Sequence, residues 1–221
     1  IGLGAQFKFG VEIGKDAGWE NLEREYHAIF ISIGLGTTQP LSIPGEQLKG
    51  VMDALSFIEK IKTRKFSSIK TSATTVVIGA GNTAIDAVTQ AKRLGAPKVI
   101  LAYRRSQAEM SAYNYEYELA KGDGVEFLWN VAPKRILGKT KVEAIEFMRT
   151  KPEGKGRQAK LKTIPGSKFK ISCDRVILAL GQTKQRSVLE RVRNLQLDSS
   201  GCIVVHPKTL QSTNPLYFAG G

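Results

Sequence analysis

Cysteine, acidic residues and long apolar runs are all scarce in this sequence. Only Cys173 and Cys202 occur in 221 residues, and no C-x-x-C spacing joins them, which argues against a metal site, an iron-sulfur cluster or a redox dithiol built within the chain. Both thiols are expected to be buried, in a reducing cytoplasm. No apolar run approaches the roughly 20 residues needed to cross a bilayer. No charged segment followed by an apolar one opens the chain, so neither membrane insertion nor export is expected. Acids number 20 against 33 Lys and Arg, leaving a net charge of +13. Nucleic-acid binding must therefore be weighed. The densest basic stretch, Lys151 to Lys170, has seven basic residues and one acid, with glycines and prolines that suggest a loop. Phe169 is its one aromatic, so a stacking platform for single strands is lacking. A solvated surface is the first expectation, docking to an acidic protein the second, and nucleic acid the last.

What is present is concentrated in Thr74 to Leu94, TTVVIGAGNTAIDAVTQAKRL. Val76, Val77 and Ile78 form a β-branched run without a polar face, as in the central strand of a parallel sheet covered on both sides. Gly79-Ala80-Gly81-Asn82-Thr83-Ala84 then has the G-x-G-x-x-A form of the dinucleotide-binding turn. Gly79 permits the tight turn, Gly81 lets a pyrophosphate approach the backbone, and Ala84 allows close helix-sheet packing. Ile85, Val88, Ala91 and Leu94 share one face of the helix that follows, which Gly95 closes and Pro97 stops. Its N-terminus offers free N–H groups and the positive end of the helix dipole to an anion. A second strand, Val99 to Ala102, leads to Tyr103-Arg104-Arg105, where an acid that accepts from the ribose hydroxyls is usual. Two guanidinium groups at that place suit a 2′-phosphate, favouring NADP(H) over NAD(H).

Along the rest of the chain, Gln6 to Ile13 alternates like a strand and Trp19 to Glu25 like a short helix. Tyr26 to Gly34 reads as a buried strand, with His27 at its start expected to be a hydrogen-bonded structural histidine. Asp53 opens an amphipathic helix through Leu55, Phe57, Ile58 and Ile61. Ser106 to Gly122 reads as another helix, with Tyr113 and Tyr117 on one face and Tyr115 elsewhere. Val125 to Trp129 is a strand. Pro133 to Leu137, Val142 to Met148 and Lys168 to Ser172 suggest an antiparallel meander. Asp174 to Leu180 is a further buried strand, and Gly201 to Val205 a last short one. Asp86 is expected in the first turn of the fingerprint helix, as a dipole and packing residue rather than an acid or base.

The order of motifs resembles the NAD(P)H-oxidising flavoprotein subunit family of the glutamate synthase small subunit and of dihydropyrimidine dehydrogenase. The resemblance rests on IGLG at 33–36, IPGE at 43–46, VVIGAGNTAID at 76–86, LAYRRS at 101–106, VEFLW at 125–129, VILALGQ at 176–182 and YFAGG at 217–221. The stretch EMSAYNYEYELAKGDGVEFLW, with IPGSKF later, is the more similar to the dihydropyrimidine dehydrogenase branch. The resemblance implies an α/β fold in which a Rossmann-like parallel sheet with an antiparallel β-meander is inserted into a partial second FAD/NAD(P)-binding-like domain. Residues 69–182 would form the NAD(P)H domain, with 1–68 and 183–221 on the FAD side. Gly79, Gly81, Asn82, Thr83 and Ala84 would then hold the pyrophosphate, and Arg104 with Arg105 the adenosine end. Gly181 and Gln182 would line the nicotinamide side, and Gly34, Gly36, Gly220 and Gly221 the FAD side. No catalytic residue and no metal ligand is assigned, because hydride transfer between nicotinamide and flavin is the cofactors' chemistry.

The family's first FAD fingerprint, its N-terminal cluster-binding cysteines and the aspartate that follows YFAGG have no counterpart in this sequence. The resemblance thus implies part of a longer protein, in which FAD and iron-sulfur clusters would relay electrons to a catalytic partner subunit. Two other readings compete with this one. A self-contained disulfide reductase is disfavoured by the cysteine spacing. The remaining alternative is a basic docking or nucleic-acid-binding module that retains a non-catalytic Rossmann scaffold.

Overall fold

Val77 has its side chain on one face of its strand and Val76 and Ile78 have theirs on the other, and all three are buried. The computed structural model, which describes residues 2–65, 68–154 and 159–220, shows why. The strand β3 (Thr74–Ile78) is the middle of a five-stranded parallel sheet. The sheet order is β2 (Val51–Asp53), β10 (Arg175–Leu178), β3, β4 (Lys98–Ala102) and β5 (Glu126–Leu128). Val77, Leu101 and Ile177 meet one layer, made by α2 (Ala54–Thr63) and α3 (Asn82–Arg93), through Phe57, Ile85 and Val88. Val76, Ile78, Ile100 and Val176 meet the other through Val131, Ile136, Ile145 and Phe147. That second layer is the antiparallel sheet β6 (Val131–Leu137), β7 (Ala144–Glu153), β8 (Lys160–Thr163) and β9 (Phe169–Ser172). A central strand with apolar residues on both faces is what covering both faces of a parallel sheet demands.

The chain divides into two compact units, residues 37–181 and residues 1–36 with 182–221. The first boundary therefore precedes the expected one at 68/69. Residues 51–53 pair in parallel with β10, in register Val51 with Val176, so they cannot leave the larger unit without opening its sheet. Asp53 accepts from the Ser56 amide at 2.9 Å to cap α2, and Phe57 on that helix is buried in the core. The antiparallel sheet is also less simple than a meander, because β8 and β9 both pair with β7, opposite different halves of it. Lys151 to Lys170, expected to be a loop, supplies the end of β7, all of β8 and the start of β9, while 155–158 lie outside the described residues.

The expected single helix over 106–122 is broken. A 3₁₀ turn at Gln107–Glu109 is followed by a separate helix α4 (Asn114–Gly122). Ser106 and Glu109 form a capping box, the Ser106 side chain accepting from the Glu109 amide and the Glu109 carboxylate accepting from the Ser106 amide at 3.2 Å, and the Ser106 hydroxyl also lies 2.9 Å from that carboxylate. Tyr113 consequently precedes the helix instead of sharing a face with Tyr117. Asp86 lies beyond the first turn of α3, on its exposed side.

The unit made by both chain ends contains α1 (Trp19–Glu25), β1 (Ile29–Ile31), α5 (Arg186–Leu189) and β11 (Tyr217–Ala219). β1 and β11 pair in parallel, Ile29 with Tyr217 and Ile31 with Ala219. Trp19, Ile31, Leu189, Val192 and Tyr217 form the core, and the Tyr217 hydroxyl donates to Glu23 at 2.8 Å. The expected strand at 6–13 does not form; Phe7 and Phe9 are exposed and stack on each other at 5.9 Å. No strand pairs with that alternating stretch among the described residues. The expected strand at 26–34 contracts to three residues, His27 is exposed without a side-chain hydrogen bond among the described residues, and 201–205 makes only isolated bridges.

Candidate dinucleotide site

The two glycines of the turn differ in what requires them. Gly79 has φ +138°, and a Cβ there would stand 2.3 Å from the Ala179 carbonyl oxygen, so the adjoining end of β10 alone forbids a side chain. Gly81 has an ordinary φ of −93°, and the nearest atom to a Cβ there is the Ser111 hydroxyl at 3.5 Å. Nothing in the protein demands glycine at 81. The open approach at that position fits a pyrophosphate against the backbone. Gly81 is the N-cap of α3 without a side-chain cap bond, and the amides of Asn82 and Thr83 have no backbone acceptor among the described residues. Ala84 is fully buried, as close helix-sheet packing requires.

Residues after the second strand fold back on this turn. Ser111 and Ala112 donate their amides to the Ala80 carbonyl at 3.1 and 3.2 Å, and the Tyr113 amide donates to the Asn82 side-chain oxygen at 3.2 Å. These contacts were not legible as site contacts in the sequence, because they depend on the interruption of helix at 110–113. The arginine pair is likewise divided. Arg105 is 11% exposed, paired with Glu109 at 3.0 Å and donating to the Ala159 carbonyl at 3.0 Å. Hydrogen bonds from Ser106, and then the Arg105 guanidinium, hold the Glu109 carboxyl below its ordinary range. Arg104 is exposed and has no ion pair among the described residues. Its backbone is fixed by the Thr150 hydroxyl, which donates to its carbonyl at 2.7 Å.

The other expected site residues fall in separate surroundings. Gly181 accepts the Gln39 amide at 3.0 Å in the larger unit. Gln182 belongs to the smaller unit and donates its side-chain amide to the Gly36 carbonyl at 3.3 Å. A Cβ on Gly36 would lie 2.8 Å from the Thr183 hydroxyl, and one on Gly220 would lie 3.1 Å from the Phe30 ring. Gly36 thus answers to its own protein neighbour, while Gly220 also lines a cavity of about 440 Å³. Gly34 has φ +64° and open space around it, and Gly221 lies outside the described residues.

The model of the pyridine nucleotide-disulphide oxidoreductases matches residues 8–221. The chain belongs to this oxidoreductase family. It is 32% identical to the glutamate synthase [NADPH] small chain of Halomonas elongata over 99% of its own length and 49% of that protein. It is also 32% identical to the NADP(+)-dependent formate dehydrogenase subunit beta of Moorella thermoacetica, over 99% of itself and 31% of that protein. The chain therefore spans about half of the first relative and about a third of the second. Among solved structures, Mycobacterium tuberculosis FprA in complex with NADPH shares the fold, with TM-score 0.72 and 20% identity over 96% of this chain and 61% of that one.

Family membership does not bring a dithiol. Cys173 is buried in the larger unit, where burial and then the Asp174 charge push its thiol up to about 12. Cys202 lies in the other unit and is exposed, contrary to expectation, and the Ser200 hydroxyl and Lys184 ammonium lower its thiol. No cluster of three metal-ligating side chains and no helix long and apolar enough to cross a membrane occurs among the described residues.

Proposed function

We propose that this chain is the NADP(H)-binding portion of a cytoplasmic FAD-dependent oxidoreductase, which passes electrons from NADPH to FAD and on through iron-sulfur clusters to a catalytic partner subunit. The observation that carries the reading is Gly81, whose missing side chain has no explanation inside the protein, at the uncapped start of α3. The amides of Asn82 and Thr83 would hold the pyrophosphate, and Ala84 keeps the helix end close to the sheet. Arg104 would take the 2′-phosphate as a charge-assisted partner, while Arg105 orients the loop through Glu109. When bound, the nicotinamide supplies the hydride; the protein residues named here bind and orient the dinucleotide. Gly34 and Gly220 line a cavity of about 440 Å³ in the smaller unit, whereas Gly36 is closed in by Thr183.

The NADPH-named and NADP(+)-named relatives support the choice of nucleotide, and their standing as small or beta subunits supports a partner subunit. Calorimetric titration of NADPH into the chain and into Gly81→Val tests the assignment. Binding to the first and at least a ~100-fold loss in the second, with an unchanged melting curve, is expected, since a Cβ at 81 meets no protein atom closer than 3.5 Å. Equal affinity for both proteins would refute it.

A further inference from the structure

Two aromatic rings beside the glycine turn have no role in the protein's own packing. Tyr113 and Tyr115 are 58% and 69% exposed, and their rings stack with centroids 5.8 Å apart and planes 14° from parallel. Tyr117, two residues on, is by contrast 4% exposed and edge-on to Phe127 at 4.7 Å. The segment thus buries Tyr117 in the core and presents Tyr115 on the helix and Tyr113 just before it to solvent.

Their place is set by the backbone. The Tyr113 amide is 3.2 Å from the Asn82 side-chain oxygen, and the two residues before it are bonded to Ala80, so the rings are carried on a segment joined directly to the turn. The sheet order decides which half of a dinucleotide lies on that side. β4 flanks β3 on one side and β10 on the other, and both Arg104 and the segment leading to α4 follow β4. The adenosine half of a bound dinucleotide lies toward the strand after the fingerprint helix, which is β4. The Tyr115 hydroxyl donates to Glu116 at 3.1 Å; this bond, the Glu116 charge and smaller contributions from Tyr113 and Asp86 raise its pKa.

We propose that the Tyr113–Tyr115 pair is the stacking surface for the adenine of the bound dinucleotide, acting beside Arg104 at the 2′-phosphate. The inference rests on the NADP(H) reading above. A purine offers a flat π face, and its stacking on tyrosine needs no base-specific hydrogen bond. Stacking of this kind predicts a loss of about tenfold on truncation to alanine. Because both side chains are exposed and the turn contact is made by the Tyr113 amide, truncation leaves the fold in place.

The test uses 2′,5′-ADP and NADPH as calorimetric probes against the whole chain and the variants Tyr113→Ala, Tyr113→Leu, Tyr113→Phe and Tyr115→Ala. Affinity for both probes should fall about tenfold in the alanine variants, fall similarly in Tyr113→Leu, and be retained in Tyr113→Phe, at an unchanged melting temperature. Retention in Tyr113→Leu would show simple apolar contact and overturn stacking. Undiminished 2′,5′-ADP binding in Tyr113→Ala combined with Tyr115→Ala, with the unsubstituted chain still binding NADPH, would overturn the proposal alone. Failure of the unsubstituted chain to bind NADPH would overturn the NADP(H) reading and this inference with it.

Discussion

In the larger unit the central strand buries Val76 and Ile78 in one layer and Val77 in the other, whereas in the smaller one Phe30, Ile33 and Leu35 are exposed to solvent. Both units are built around parallel strands that are apolar at successive positions. The difference lies in how much else is present to pair and cover. Five strands with a helical layer and an antiparallel sheet on opposite faces bury both sides of β3. In the smaller unit β1 and β11 form a two-stranded sheet to which β11 adds only an isolated bridge from Phe218 to Gln211, and Phe30 is 58% exposed in the middle of β1. A two-stranded sheet has little stability of its own. An apolar residue in a strand thus contributes to stability only where a layer covers it.

Two phenylalanines put that contrast to its strongest trial. Phe57, 2% exposed under α2, should cost about 3–5 kcal/mol when replaced by alanine. Phe30, 58% exposed on β1, should cost no more than about 0.5 kcal/mol. Denaturant unfolding of Phe57→Ala and Phe30→Ala measures both, and comparable losses would show that the exposed face of β1 carries as much packing energy as the covered core.

Within the larger unit the adjacent arginines sharpen the comparison on a smaller scale. Arg104→Ala should weaken NADPH binding at least about tenfold, about 1.4 kcal/mol, with NADH little changed, because a charge-assisted contact to the 2′-phosphate is lost. Arg105→Ala should instead lower the melting temperature of the ligand-free chain, since its guanidinium holds Glu109 and the Ala159 carbonyl. Titration of both nucleotides together with thermal melts separates the two effects. Equal loss of NADH and NADPH in Arg104→Ala would remove the 2′-phosphate assignment.

The smallest expected difference concerns the two thiols, one in each unit. At pH 8 iodoacetamide should modify Cys202, whose Ser200 and Lys184 neighbours favour the thiolate, and leave Cys173 intact, since burial holds that thiol up at about 12. Mass spectrometry of the native chain reads the outcome. Raising the pH should increase the rate at Cys202 as more of its thiolate forms. Labelling of Cys173 at a similar rate would show that the larger unit opens readily around β9 and β10.

The fingerprint was legible because its physics is local. A β-branched run, glycines where a side chain would obstruct, a small residue in the first helical turn and a Gly–Pro stop each act over a few residues. Thr74–Ile78 and Asn82–Arg93 accordingly fall where the sequence puts them, as does the helix Trp19–Glu25. Periodicity was misleading where alternation had no partner. Gln6 to Ile13 has the pattern of a strand, but a strand also needs a ladder, and which residues lie alongside is not encoded in eight residues. The continuous helix expected over 106–122 failed for a related reason: a capping box at Ser106–Glu109 and bonds to Ala80 and Asn82 compete with helical hydrogen bonds at 110–113.

By itself, the sequence determined the parallel-sheet class, the strand-turn-helix at 74–94 and the placement of two guanidinium groups after the second strand. Tertiary structure decided what each of those residues answers to. Gly79 is required by the Ala179 carbonyl, whereas Gly81 faces open space. Arg105 is held by Glu109, while Arg104 stays exposed. Tyr117 is buried, and Tyr113 and Tyr115 are not. In each case neighbouring residues of the same type are separated by contacts with segments remote in the chain, such as Ala179 beyond Gly79 and Ala159 beyond Arg105. A chain's chemical inventory is written residue by residue, but the partner of each group depends on which distant segment packs against it.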